Sequence, residues 1–157
     1  MSQKVRILCL SDTHRNISNA IDIINDQKPD YIFHLGDLES DAEDLQSIFE
    51  RIRFVYVSGN CDWSSFSAAP GERFFEIGGV KILMCHGHSY NVKQGTEYYL
   101  SVARKKGADL ALFGHTHTPF CLNYGDVTLL NPGSTSHYGW IEIENGTFTA
   151  ETVKYEE

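Results

Sequence analysis

Aspartate, asparagine and histidine residues follow short apolar runs at several places in this sequence. The clusters are Ser11-Asp12-Thr13-His14, Gly36-Asp37, Gly59-Asn60-Cys61-Asp62, His86-Gly87-His88 and Gly114-His115-Thr116-His117. Carboxylate, amide and imidazole groups together suit borderline divalent ions such as Mn, Fe, Ni, Co or Zn better than they suit Mg or Ca. These residue types and positions predict the binuclear metal centre of a hydrolase.

The paired histidines carry the most information. Residues two apart on an extended backbone are separated by about 7 Å, given a rise of ~3.3 Å per residue. Two metals about 3.5–4 Å apart fit between such imidazoles. We therefore expect His115 and His117 to ligate different metals.

The remaining clusters are weaker signals when taken singly. Asp12 and His14 would point to the same side of an extended segment and could share one metal. Asp12 could instead cap a helix, and Asn60 could be a turn residue after Gly59. A carboxylate such as that of Asp37 can bridge two cations, although a Gly-Asp pair is also common in turns.

Strands and helices alternate in the first half of the chain. Continuous apolar runs predict buried strands at Val5 to Leu10, Tyr31 to Leu35 and Phe54 to Val57. Helical spacing of Ile17, Ile21 and Ile24 predicts a helix after the first strand. The resulting β-α-β-α-β series implies a parallel sheet that gathers the metal-binding loops along one edge.

The second half is predicted to be richer in β-structure. Gly78-Gly79 marks a hairpin turn, and one helix is expected from Val92 to Lys106, ending at Gly107. Strands are then expected, mainly antiparallel, at Leu110 to Phe113, Phe120 to Tyr124, Val127 to Leu130, Tyr138 to Ile143 and Thr147 to Val153.

Length and composition predict a single domain over residues 1–157, with 41% apolar and 22% charged residues. The net charge of -8 argues against an extended nucleic-acid surface, which needs clustered cations. No apolar stretch approaches the roughly 20 residues that span a bilayer, so we expect a cytoplasmic protein without a membrane partner. The four cysteines show no Cys-x-x-Cys spacing, which makes disulfides an unlikely feature.

The order Asp-x-His, Gly-Asp, Gly-Asn-x-Asp, His-Gly-His and Gly-His-x-His closely resembles the calcineurin-like metallophosphoesterase superfamily, specifically its short bacterial and archaeal phosphodiesterases of the YfcE type. The resemblance extends from Ser11 to Ser134. It implies a four-layer α/β/β/α sandwich of two mixed sheets flanked by helices. By matching position, it implies one metal on Asp12, His14 and His117, another on Asn60, His86 and His115, and Asp37 as the bridge.

The chain departs from the wider superfamily at two places near the site. Many members have His where this chain has Cys61, and a protonated thiol cannot supply the positive charge of an imidazolium. The Arg that grips monoester dianions in protein phosphatases is absent from the residues after Gly36-Asp37. Both departures favour diesters with good leaving groups. Arg15 and His88 are further candidates for substrate contact, although an Arg at such a position is more often simply solvated.

The predicted activity is hydrolysis of a small phosphodiester by in-line attack of a metal-bridging hydroxide, with Asp37, Asn60 and Cys61 at the catalytic centre. The cofactors are two divalent transition metal ions per chain, with Mn as first choice. Two alternatives stay open: a weakly active or inactive protein-interaction scaffold, as in a retromer subunit of similar fold, and a phosphomonoesterase or nucleotide pyrophosphohydrolase. The oligomeric state is open, with a homodimer suggested by the family.

The Asp37→Asn variant is predicted to lose activity because the amide cannot replace the bridging carboxylate. Turnover in buffer replete with metal checks this prediction. Near wild-type turnover would contradict the assignment of Asp37 as the bridge.

Overall fold

The computed structural model describes residues 4–12, 17–36, 39–57, 71–134 and 136–155, without the side chains of residues 39–42. The first half forms the predicted alternating series. Its elements are β1 (Val5–Leu10), α1 (Ser18–Gln27), β2 (Tyr31–His34), α2 (Glu39–Ile48) and β3 (Arg53–Tyr56). Strand β1 pairs parallel with β2, and β2 pairs parallel with β3, as predicted.

A β-hairpin opens the second half of the described chain. Strands β4 (Glu72–Ile77) and β5 (Val80–Cys85) pair in antiparallel fashion around Gly78 and Gly79. Both glycines have positive φ angles, 56° and 85°, which fit the primed turns of two-residue hairpins. The later elements are α3 (Glu97–Lys106), β6 (Leu110–Leu112), β7 (Phe120–Asn123), β8 (Thr128–Asn131), β9 (His137–Glu144) and β10 (Thr147–Lys154).

The single helix predicted from Val92 to Lys106 is wrong at its start. A short 3₁₀ turn covers Val92–Gln94, and α3 begins only at Glu97. Gly95 separates them with a φ of 136°, outside the helical region that an ordinary L-residue would favour. The end is as predicted, because Gly107 closes α3 in the left-handed conformation.

Two five-stranded mixed sheets result. Their strand orders are β10-β9-β1-β2-β3 and β4-β5-β6-β8-β7. The C-terminal third is less purely antiparallel than predicted, because β8 runs parallel to β6. This direction brings the end of β8 to the same edge as the ends of β5 and β6.

Alternation along each strand sends side chains to two different layers. In β1, Ile7 and Cys9 point into the core between the two sheets, while Leu8 and Leu10 pack under α1 and α2. A third cluster packs α3, through residues such as Tyr99, onto the outer face of the second sheet. The layers are therefore α/β/β/α, as expected.

Among the described residues, the helices are too short and too polar for any of them to cross a membrane. The single domain predicted for residues 1–157 stays a prediction.

Replacing Phe33 by alanine is predicted to lower the free energy of unfolding by about 3–5 kcal/mol, because it empties a position between the sheets. Phe33 is fully buried and makes an edge-to-face contact with Phe75, with ring centroids 5.6 Å apart. Urea unfolding measures the change. Phe74→Ala, at a residue 44% exposed on β4, is the matched control and should cost far less.

Candidate metal centre

Backbone hydrogen bonds join the loops that follow β1, β2, β5 and β6. The Asp12 amide donates to the Gly36 carbonyl at 3.1 Å, and the Gly114 amide donates to the His86 carbonyl at 2.8 Å. His86 Nδ1 lies 2.8 Å from the Leu35 carbonyl oxygen of the opposite sheet. The carboxyl ends of parallel strands from both sheets therefore meet at one place, with the metal-binding residue types in the joining loops.

The Asp12 carboxylate is buried where these loops meet. Its Oδ2 accepts hydrogen bonds from Ser11 Oγ at 2.6 Å and from the His115 backbone amide at 3.0 Å. Its Oδ1 lies 3.2 Å from His117 Nε2 and 3.7 Å from His86 Nε2. One oxygen thus fixes the carboxylate to both loops, and the other faces two imidazoles.

A second pair of donors lies beside the first. His86 Nε2 and His115 Nδ1 are 3.2 Å apart. Because the Leu35 carbonyl can only accept, His86 must carry its proton on Nδ1, which leaves the Nε2 lone pair toward His115 in the neutral ring. An outer hydrogen bond of this kind orients histidines that bind metals. His86 is fully buried, so its ring is held firmly in this orientation.

The donor types of these two pairs fit divalent transition ions: one carboxylate and three imidazole nitrogens converge at one sheet edge. The pairs are Asp12 with His117, and His86 with His115. Within the described parts of the chain, no three such side chains form a complete metal site. The predicted set also needs His14, Asp37 and Asn60, which lie outside the described residues, and the ligand assignment stays a prediction.

Arg15 and Cys61 also lie outside the described residues. His88 is exposed, and its ring centroid is 5.5 Å from that of His86 and 6.1 Å from that of His115. It therefore borders the centre on the solvent side, where a substrate group would approach.

The extended backbone assumed for the ligand segments is wrong. Asp12, His115 and His117 have φ angles of 56°, 71° and 62°, in the left-handed region. Gly87 also has a positive φ, 108°, so the His86-Gly87-His88 segment turns rather than extends. Positive φ is uncommon for residues with side chains and tends to mark functional sites when it persists. Tight turns, rather than a straight run of residues, aim these imidazoles.

Gly114 allows the loop after β6 to reach the loop after β1. A Cβ atom at this position would lie 2.0 Å from Ser11 Oγ and 3.0 Å from Asp12 Oδ2. Both atoms belong to the hydrogen-bond arrangement that fixes Asp12. The glycine is required by this close approach of two loops.

Asn131 is a residue of the centre that the sequence analysis did not name as a candidate. It is fully buried, and its Nδ2 donates to the Gly114 carbonyl at 3.1 Å and to Thr116 Oγ1 at 2.8 Å. Its Oδ1 accepts from the Gly133 amide at 2.8 Å. Asn131 thus supports the turn that carries His115. Its position, a polar residue ending an apolar strand, was the available signal.

The described cysteines are poor metal ligands. Burial raises the pKa of Cys85, the residue before His86, to about 12, and it also raises the pKa of Cys9. A thiol must lose its proton to ligate a metal well. Cys9, Cys85 and Cys121 are all free, so none of these three forms a disulfide.

The Gly114→Ala variant is predicted to weaken metal binding at least tenfold and to lower the melting temperature, because the new Cβ pushes the Ser11-Asp12 segment away. Titration calorimetry with Mn²⁺ and thermal unfolding measure both effects. Gly71→Ala is the control, since a Cβ there meets nothing within 4 Å. Unchanged Mn²⁺ affinity in Gly114→Ala would show that this approach does not shape the site.

The sequence model of the calcineurin-like phosphoesterase superfamily domain matches residues 5–153. A probable metallophosphoesterase of Methanocaldococcus jannaschii is 35% identical over 105 residues, which is 67% of this chain and 53% of that relative. The chain thus spans about half the length of that relative. A phosphodiesterase of the same organism is 28% identical over 150 residues, covering 85% of this chain and 86% of its own.

Solved structures show the same fold. A predicted phosphoesterase from Streptococcus pneumoniae aligns with a TM-score of 0.78 and 26% identity, over 98% of this chain and 91% of its own. Vps29 from Entamoeba histolytica, solved with zinc, aligns with a TM-score of 0.71 and 20% identity, over 97% of this chain and 100% of its own. The sequence match covers almost the whole chain, and the fold agrees with it: this protein belongs to the calcineurin-like phosphoesterase superfamily.

Proposed function

We propose that this protein is a phosphodiesterase that depends on two divalent transition metal ions, with Mn as the first choice. The observation that carries the proposal is the pairing of donors at the common sheet edge: Asp12 Oδ1 with His117 Nε2, and His86 Nε2 with His115 Nδ1, each at 3.2 Å. One metal would be held by Asp12, His14 and His117, the other by Asn60, His86 and His115, with Asp37 shared between them.

Two bound cations would supply an activated water nucleophile at neutral pH and would neutralise charge on the phosphoryl oxygens. The protein's own contribution is orientation. Asp12 is held by the His115 amide and by Ser11, so its Oδ1, which lies near His117 and His86, keeps one direction. His86 is held in one tautomer by the Leu35 carbonyl. His117, whose side chain is 46% exposed, borders the open side from which substrate enters.

Two side chains that other superfamily members have near the site are absent at the matching positions of this chain. Their absence favours a diester over a monoester. Cys61 stands where many relatives have a histidine that can stabilise developing charge or protonate a leaving oxygen. Leu38 and Glu39 follow Asp37, where protein phosphatases place an arginine that clamps a dianion. The relative named as a phosphodiesterase supports the same choice.

A second candidate is a protein-interaction scaffold without substantial activity, a protein of the same fold as Vps29. The identity to that structure is low and indicates the fold alone. The presence of both His14 and Asn60 supports the enzyme, because a scaffold has no need of a complete ligand set.

The enzyme is tested by removing metal from the protein, adding Mn²⁺ back, and comparing hydrolysis of bis(p-nitrophenyl) phosphate with that of p-nitrophenyl phosphate. We expect turnover of the diester that requires Mn²⁺ and exceeds that of the monoester at least tenfold. A preference for the monoester would indicate a phosphatase. No turnover of either compound, with two metals bound per chain by calorimetry, would favour the scaffold.

The Asp12→Asn variant is predicted to lose at least about a hundredfold in diester turnover and to bind Mn²⁺ more weakly, because the amide retains the shape but not the charge of the ligand. Asp126→Asn provides the same chemical change at an exposed residue paired with Arg104, and should retain wild-type turnover. Equal activity of the two variants would remove Asp12 from the proposed ligand set.

A further inference from the structure

A pocket of about 400 Å³ opens next to the candidate metal centre. Gly87 and His88 line it, and they directly follow His86 in the chain. His88 is exposed, and its ring centroid lies 5.5 Å from that of His86. A group attached to a phosphorus atom at the metal centre would therefore extend past His88 into this pocket.

The pocket wall contains an oriented carboxylate. Glu72 lines the pocket, its Oε1 accepts a hydrogen bond from the Tyr90 hydroxyl, and its Oε2 lies 3.3 Å from Lys106 Nζ. The pKa of Tyr90 is raised, chiefly by burial. Its phenol therefore stays protonated and donates to Glu72. Ser89 adds a hydroxyl to the same wall.

These groups select among the substituents that a phosphodiester can carry. Glu72 oxygens and the Ser89 hydroxyl accept hydrogen bonds, which satisfies a substituent with O–H donors. Lys106 Nζ already pairs with Glu72 Oε2, so a cationic substituent would have to compete with Lys106 for this oxygen. A second anionic group, as in an extended nucleotide phosphate chain, would face the carboxylate directly.

We propose that this pocket is a specificity subsite for a neutral, hydroxyl-bearing substituent of the phosphodiester, with Glu72 as its principal hydrogen-bond acceptor. The proposal rests on the proposed phosphodiesterase function and narrows its substrate class. Glu72 is a specificity residue in this assignment, because it contacts the substituent rather than the phosphorus.

The test compares two diesters with the same leaving group, p-nitrophenyl 4-hydroxybutyl phosphate and p-nitrophenyl butyl phosphate, because a remote hydroxyl does not readily attack its own phosphorus. With Mn²⁺, the wild-type protein should prefer the hydroxybutyl compound about tenfold in kcat/KM, which corresponds to one net hydrogen bond to a charged group. Glu72→Gln should reduce this preference to about threefold or less, with a smaller reduction in Ser89→Ala. Glu76→Gln, at an exposed residue further along the same strand that does not line the pocket, should keep it.

A binding measurement separates failure of the subsite from failure of the function. Titration calorimetry of the Mn²⁺-loaded protein with 4-hydroxybutyl methylphosphonate and butyl methylphosphonate should show the same preference and the same loss in Glu72→Gln. Hydrolysis of both diesters without a preference, or a preference that Glu72→Gln leaves intact, would overturn the subsite. Absence of any hydrolysis would overturn the proposed function, and the calorimetric ratio would then decide the subsite alone.

Discussion

The buried Asp12 carboxylate is the interaction on which the site depends. Its Oδ2 takes hydrogen bonds from its own loop and from the backbone of His115, so it joins the two sheets where their parallel strands end. A buried carboxylate is costly unless its oxygens are satisfied, and here the satisfying donors come from both sheets. Packing the two sheets face to face therefore also brings the residues of the centre together.

The rest of the architecture makes that approach possible. The apolar core between the sheets sets their separation, and the absence of a side chain at Gly114 lets one loop contact the other. Asn131 then supports the turn by donating hydrogen bonds to the Gly114 carbonyl and to Thr116 Oγ1. Left-handed backbone at His115 and His117 is maintained by this surrounding packing, because short polar loops would not hold strained turns alone.

The fold could be predicted from the sequence wherever apolar periodicity was strong. The buried runs at β1 and β2, the helix between them and the Gly78-Gly79 hairpin were all recognisable. The predicted helix from Val92 to Lys106 failed at Gly95, whose backbone conformation interrupts the helical pattern. Prediction also failed where a strand pairs with a strand that is not its neighbour in the sequence. The parallel alignment of β8 with β6 depends on contacts between distant segments, and no periodicity within either strand encodes it.

The donor types, their order and their placement after strands follow from the amino-acid sequence alone, because side-chain chemistry and strand periodicity are properties of the chain. The tertiary structure fixes which donors meet. It set Asp12 against His117 and His86 against His115, gave His86 its tautomer through Leu35, and made Glu72 the wall of a neighbouring pocket. These relations join residues on different strands and loops, and only the packing of the two sheets fixes the distances between them.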